Sequence, residues 1–162
     1  MQPEGHHLAE VNIGRLVAAP DDPRLKSFVD NLDRINGVAK RMDGFVWMLE
    51  GEQGGNLDNP IGDDPLVAFN LSVWKNVESL DQYVWGTVHR QFYERRAEWF
   101  EIFEGTHFAM WWVPEGHIPT KAEALQRVAN LEAHGDTQFA FGWSWLAQAR
   151  LWRGKGCSGA VA

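Results

Sequence analysis

Aromatic and ionisable residues recur at helical spacing in the middle of the chain. At three- and four-residue steps stand Trp85, His89, Phe92, Tyr93 and Arg96, a spacing that stacks side chains along one flank of a helix. A neutral imidazole can ligate haem iron or move protons near neutral pH, and a guanidinium can hold a carboxylate through two hydrogen bonds. Structural roles stay open, because His89 can bond a backbone carbonyl and Arg96 can pair with a nearby glutamate. We expect any functional site to follow this flank.

Three further side chains are candidates because they lie on or beside predicted strands. Asn12, on the first strand, can orient oxygen or a substrate carbonyl, or else satisfy a bulge or hold a water. Trp74 ends the central strand, where packing at the corner of sheet and helix is the alternative to ligand contact. Trp111 and Trp112 point to opposite faces of one strand, so one belongs to the core and the other to a chamber or interface. We take Trp112 as the ligand-binding candidate.

Composition and missing motifs exclude several classes of function. The chain has 22 acidic and 15 basic residues and a net charge of −7, which repels nucleic acid. The chain has a single cysteine, Cys157, and shows neither an apolar leader nor an apolar run long enough to span a bilayer. We therefore expect a cytoplasmic protein without a membrane segment. Zinc-site spacings, a phosphate loop, a nucleophile elbow and a dinucleotide fingerprint are missing. Chemistry in a dry aromatic chamber remains, although nine tryptophans equally suit a bulky core or a dimer interface.

Hydrophobic periodicity predicts the elements that position these residues. Alternation predicts strands over residues 8–17, 45–50, 67–74 and 107–113, and Phe139 and Phe141 hint at a last short strand. Helical spacing predicts helices over residues 23–42, over about six turns from residue 77, and over residues 120–135. This order predicts an α+β ferredoxin-like βαββαβ fold, with a four-stranded antiparallel sheet and an extra C-terminal helix. We expect one domain over residues 8–145, a loop over residues 51–64 and a disordered tail over residues 146–162.

A sheet with both helices on one face leaves its other face open. In one phase of the alternation that open face carries polar and aromatic residues: Asn12, Asn70, Ser72, Trp74 and either Trp111 or Trp112. A second copy packed sheet to sheet is the simplest cover, and it would enclose a chamber. The sequence therefore predicts a homodimer, a dimeric α/β barrel.

The order of elements and several motifs resemble one known family. The segment LSVWKNVESLDQYV runs into VHRQF, and RRAEWF, WWVP and P-T-x-x-E-A-L follow. Over residues 8–141 the chain resembles the domain-of-unknown-function family 3291, of the dimeric α/β-barrel superfamily that includes antibiotic-biosynthesis and haem-degrading monooxygenases. The haem-degrading branch carries an asparagine on strand one, an aromatic residue on the second helix and, about three turns along, a histidine that ligates iron. By this resemblance Asn12 matches the first and Tyr83 or Trp85 the second. His89 lies six residues beyond Tyr83, while Tyr93 stands nearest the usual histidine.

Three functions follow as expectations. The first is a small-molecule-binding barrel, monooxygenase-like if it is an enzyme, that takes an apolar or aromatic ligand. Its catalytic residues are His89 and Asn12, and its ligand-binding residues are Trp74, Tyr83, Trp85, Tyr93, Arg96 and Trp112. The second is a haem protein with His89 as the axial ligand, and the third is a non-catalytic homodimeric interaction module. RNA recognition by the same element order is set aside, because the central strand lacks the glycine–aromatic–basic pattern.

Overall fold

The computed structural model describes residues 2–51, 64–102 and 104–146. The strands are β1 His6–Arg15, β2 Phe45–Met48, β3 Val67–Trp74 and β4 Phe108–Pro114. The helices are α1 Lys26–Val29, α2 Leu32–Arg41, α3 Val77–Gly86, α4 His89–Arg95 and α5 Lys121–His134. Single 3-10 turns cover Pro23–Leu25, Arg96–Glu98 and Trp143–Trp145. The predicted tail beyond Leu146 and most of the predicted loop, residues 52–63, lie outside the described residues.

The strands form one antiparallel sheet in the order β2-β3-β1-β4. This order places the first and third strands side by side at the centre, as the split βαβ arrangement requires. The predicted α+β ferredoxin-like fold is therefore confirmed. β1 lies between β3 and β4, so Glu10 stands directly opposite Ser72 on one side and Met110 on the other.

One face of the sheet packs against α2 and α3. Its core contains Leu8, Trp74 and Met110 from the strands, with Ile35 from α2 and Leu80 from α3. Strand partners in register share a face, and the residues of this phase include Asn12, Asn70, Ser72, Trp74 and Trp112. The prediction that these five lie on an open face is therefore wrong. They share a face with bulky apolar residues that need the helices as cover.

The other face is covered in part by the chain's own α5. Ala124 and Val128 of α5 belong to one buried cluster with Ala9, Val11 and Trp111. Thr120 is the N-cap of the helix, and its side chain accepts a hydrogen bond from the backbone N–H of Glu123 over 3.1 Å. The sheet face opposite α2 and α3 is therefore covered over β1 and β4 by the chain's own α5, without a second copy.

Two predicted continuous helices are interrupted. The helix predicted from Pro23 onward is a 3-10 turn followed by α1 and α2, and the Asn31 amide between the two helices donates to the Ser27 carbonyl over 2.9 Å. The helix predicted over about six turns from Val77 ends at Gly86, and α4 begins at His89. Local side-chain to backbone bonds compete with helix continuation at both places.

The last short strand suggested by Phe139 and Phe141 is a single β-bridge in the structure. The backbones of Phe141 and Met110 exchange two hydrogen bonds, of 2.8 Å and 2.9 Å, along the outer edge of β4. Phe141 itself is fully buried against the core of the helix-covered face. Among the described helices, none has both the length and the apolar character needed to cross a bilayer.

Candidate functional site

The break between α3 and α4 sets the position of His89. Thr87 has an extended backbone, so the chain leaves the helix there and turns. Its hydroxyl donates to the Tyr83 carbonyl over 2.6 Å and accepts from the His89 N–H over 3.1 Å. One side chain therefore closes α3 and starts α4, and it brings His89 back toward Tyr83.

A buried carboxyl lies in the middle of the helix-covered face. Glu10 is only 7% exposed, and its Oε1 accepts a hydrogen bond from the Ser72 hydroxyl over 2.6 Å. The indole N–H of Trp74 donates in turn to the Ser72 oxygen over 2.8 Å. From the other side, the Asn70 amide donates to Asn12 over 3.0 Å, and the Asn12 side chain hydrogen-bonds Glu10. Two rows of hydrogen bonds thus converge on one carboxyl group.

The surroundings of Glu10 bring its titration close to neutrality. Burial raises the pKa of the carboxyl to about 7, and the hydrogen bonds from Ser72 and Asn12 offset only part of that rise. Both protonation states are therefore well populated at neutral pH. A carboxyl of this kind can act as a general acid or a general base.

Aromatic rings continue from this network to His89. Tyr83 stacks on Trp74 with ring centroids 5.1 Å apart, and the His89 ring lies 4.7 Å from Tyr83 at a tilt of 48°. Burial, and to a smaller degree the charge of Glu10, raise the pKa of the Tyr83 phenol above its usual value. The phenol therefore stays protonated. We call Trp74, Tyr83 and His89 the aromatic column.

His89 is a neutral imidazole in this arrangement. Burial lowers the pKa of the imidazole to about 4, and a hydrogen bond with the Val84 backbone offsets only part of this fall. Its Nδ1 is buried and has no hydrogen-bond partner within the described ranges. The residue as a whole keeps some exposed surface.

Trp85, Tyr93 and Arg96 form a second group, which we call the arginine–aromatic surface. Trp85 meets Tyr93 edge to face with centroids 4.9 Å apart. The Arg96 guanidinium stacks over the Tyr93 ring at 4.2 Å and donates from Nη1 to the Tyr93 carbonyl over 2.9 Å. All three residues are partly exposed. The helix break lies within the predicted flank: Trp85 precedes it on α3, whereas His89, Tyr93 and Arg96 follow it at helical spacing.

Trp112 belongs to neither group. It packs against Phe141 with ring centroids 5.5 Å apart and lines a cleft of about 270 Å³ together with Pro3, His6, Gln138 and Trp145. Of the eight predicted site residues, the structure thus brings together Asn12, Trp74, Tyr83 and His89, and it places three others on the arginine–aromatic surface.

Sequence reasoning missed the residue at the centre of the site. The sequence analysis does not single out Glu10, and it places Ser72 and Asn70 only on an open face. A signal was present, since Glu10 shares its strand phase with Leu8 as well as Asn12. A carboxylate on the same strand face as apolar residues is either exposed to solvent or buried and stabilised by specific hydrogen-bond partners.

The surroundings of His89 are unfavourable for a haem. An axial imidazole needs a ring nitrogen that faces a wide, flat slot. Here the imidazole is largely buried, its Nδ1 is sealed from solvent, and the Tyr83 ring lies against it. In the part of the chain that the structure describes, no group of three or more His, Cys, Asp or Glu side chains could hold a metal ion.

Three solved structures are distantly similar to the chain. The protein of unknown function NE2512 from Nitrosomonas europaea is 10% identical, over 73% of this chain and 97% of that one, with a TM-score of 0.46. PA3566 from Pseudomonas aeruginosa is 8% identical, over 68% of this chain and 95% of that one, with a TM-score of 0.44. SO0527 from Shewanella oneidensis is 10% identical, over 68% and 93%, also with a TM-score of 0.44. With TM-scores this low, the likeness to these structures supports no inference about the function of this chain.

A family model gives the clearer result. No curated protein is significantly similar to the chain. The model described as a domain of unknown function, DUF3291, matches residues 7–155, which is most of the chain. The resemblance inferred from the sequence motifs is thereby confirmed at the level of the family. The protein belongs to the DUF3291 family.

Proposed function

We propose that the protein binds a small apolar or aromatic molecule beside the aromatic column, and that Glu10 exchanges a proton with it. The observation that carries this proposal is the buried carboxyl at the meeting point of two rows of hydrogen bonds. A neutral glutamine could accept the same bonds from Ser72 and Asn12 without the cost of burying an ionisable group. The presence of a carboxyl at this position supports a role that needs its proton.

The neighbouring side chains suit an aromatic ligand. Trp74 and Tyr83 are buried and fix the column, while Asn12, Asn70 and His89 each keep part of their surface exposed. A ligand that enters past these three residues meets rings on one side and amide groups on the other. Apolar walls with few polar groups are typical of small-molecule sites.

The reaction class follows from the resemblance. Antibiotic-biosynthesis monooxygenases suggest oxygenation of an aromatic ligand, with Glu10 or the neutral His89 as the proton acceptor. Oxygen uptake that depends on a bound aromatic compound is the measurement for this part of the proposal. The binding function does not depend on this reaction, since binding needs only the aromatic column and the nearby amide groups of Asn12 and Asn70.

A titration with 2-naphthol tests the binding function. Quenching of tryptophan fluorescence should report binding, because Trp74 lies in the column, and the affinity should change between about pH 6 and about pH 8 as Glu10 titrates. The variant Glu10→Gln should bind with no such change, while the exposed-surface control Glu78→Gln should behave as the wild type. Absence of binding to the wild-type protein would overturn the proposal, as would an unaltered pH dependence in Glu10→Gln.

A second copy is not needed for this site. The side chains of the aromatic column and of the Glu10 network all come from one chain, so each protomer would hold its own site. The homodimer and the non-catalytic interaction module remain predictions from the sequence. Sedimentation at micromolar concentration tests both, and a monomer that still binds 2-naphthol would eliminate the module.

A further inference from the structure

The arginines of α4 and of the turn after it differ in their counter-ions. Arg90 pairs with Glu94 over 2.7 Å. Arg95 forms two bonds to Glu98, of 2.9 Å and 2.8 Å, and lies over the Trp99 ring at 4.8 Å. Both charges are therefore compensated by carboxylates that follow three or four residues later.

Arg96 has no carboxylate partner among the residues that the structure describes. The two nearby glutamates, Glu94 and Glu98, are taken up by its neighbours. Within the described ranges, its contacts are a hydrogen bond from Nη1 to the Tyr93 carbonyl and the stacking of the guanidinium on the Tyr93 ring. Because these two contacts hold the guanidinium plane, the remaining N–H donors form a fixed fork that suits a planar acceptor.

This fork lies close to the proposed ligand site. Tyr93 lies four residues beyond His89 on α4, so the two side chains share a face of the helix and are about 6 Å apart along its axis. Trp85 contacts Tyr93 edge to face and adds apolar surface. The arginine–aromatic surface is thus a continuation of the aromatic column along α4.

We propose that the ligand is an aromatic carboxylate, whose carboxylate group Arg96 binds while its ring lies along the aromatic residues of α3 and α4. This inference rests on the proposed binding function and adds the chemical class of the ligand. A planar carboxylate matches the guanidinium fork through two parallel hydrogen bonds. Because the chain as a whole carries a net charge of −7, a local cation such as Arg96 is needed to offset the repulsion of an anionic ligand.

An isosteric ligand pair tests the inference. Binding of 2-naphthoate and of its neutral counterpart 2-naphthamide is compared by calorimetry at low and high salt. We expect the wild type to prefer 2-naphthoate by about tenfold or more, because hydrogen bonds between charged groups are worth that factor. The preference should shrink in high salt.

Variants assign the preference to its residue. Arg96→Gln should bind both compounds equally, whereas Arg95→Gln, which also removes a guanidinium stacked on a ring, should keep the preference for 2-naphthoate. Equal binding of the two compounds by the wild type overturns this inference and leaves the binding function intact, and so does a preference that persists in Arg96→Gln. Failure of both compounds to bind overturns the binding function as well. Should Arg96→Gln not fold, the comparison of the two compounds on the wild type still decides.

Discussion

Tyr83 and His89 face each other as tilted rings 4.7 Å apart, although the end of one helix and the start of the next lie between them in sequence. The contact exists because Thr87 bonds to the backbone of both residues. In a continuous helix, residues six positions apart such as Tyr83 and His89 would point to different flanks and could not face each other. The break therefore decides which residues make up the site.

The variant Glu10→Gln should change how stability depends on pH. Because burial raises the pKa of Glu10 from 4.5 to about 7, the folded protein holds a proton that the unfolded chain releases between these values. This contribution is fully present below pH 4.5 and is lost as the pH rises through about 7, up to about 3 kcal/mol. Denaturant unfolding across this range should show a fall in wild-type stability that is absent from Glu10→Gln. If the stability of the two proteins changed with pH in parallel, the titration of Glu10 would not be the cause of the fall.

The variant His89→Phe should show the opposite change. Burial lowers the pKa of His89 from 6.5 to about 4, so the unfolded chain takes up a proton that the folded protein excludes. Stability is therefore reduced as the pH falls from 6.5 toward 4. Phenylalanine keeps the ring contact with Tyr83 and removes the titration, so the acid side of the unfolding profile should flatten. A profile that keeps its acid slope would show that His89 is not neutral in the folded state.

Loss of the Thr87 hydroxyl should both destabilise the fold and release His89. Thr87→Ala removes the bond to the Tyr83 carbonyl and the cap on the His89 N–H, at a cost of about 1 kcal/mol. The imidazole pKa, followed by NMR, should rise toward 6.5 as the ring becomes hydrated. Thr87→Ser keeps the hydroxyl and serves as the control. If Thr87→Ala leaves the imidazole pKa at its wild-type value, Thr87 does not position the ring.

Glu123 should anchor α5 to the sheet. Its Oε1 accepts from the Trp111 indole over 3.0 Å, and its other oxygen bonds His117 over 2.8 Å. Burial acts to raise its pKa, but the bonds from His117 and Trp111 prevail and lower it. Glu123→Ala leaves the buried indole N–H without this acceptor, at a cost of about 1–3 kcal/mol in thermal or denaturant unfolding. Glu132→Ala, on the exposed side of the same helix, is the control, and equal losses in the two variants would refute the anchor.

Haemin should not be recognised through His89. The Tyr83 ring lies against His89, and the imidazole is largely buried, so a large planar group has little access to it. Absorption spectra of wild-type protein and His89→Ala with added haemin should therefore coincide. A Soret shift in the wild type that disappears in His89→Ala would restore the haem interpretation.

The sequence predicts the sheet better than it predicts the site. Alternation in the strands and helical spacing over residues 120–135 are local signals, and they predicted the element order and the extra helix. Alternation separates two faces of a sheet but does not say which face the helices cover, so the assignment of Asn12 and Trp74 to an open face was wrong. The helix break depends on one hydroxyl at Thr87, which no periodicity reports. Four of the predicted residues, Asn12, Trp74, Tyr83 and His89, lie together in the structure, whereas Glu10 was not predicted, because its burial depends on partners in β3.

The bridge between Phe141 and Met110 has a consequence for the solution behaviour of the chain. It pairs part of the outer edge of β4, where backbone groups would otherwise be free to join a strand from another molecule. A chain cut before Ala140 would lose this protection together with the buried Phe141 ring. Such a truncation should form aggregates by edge-to-edge strand addition, even though all four strands of the sheet would be retained.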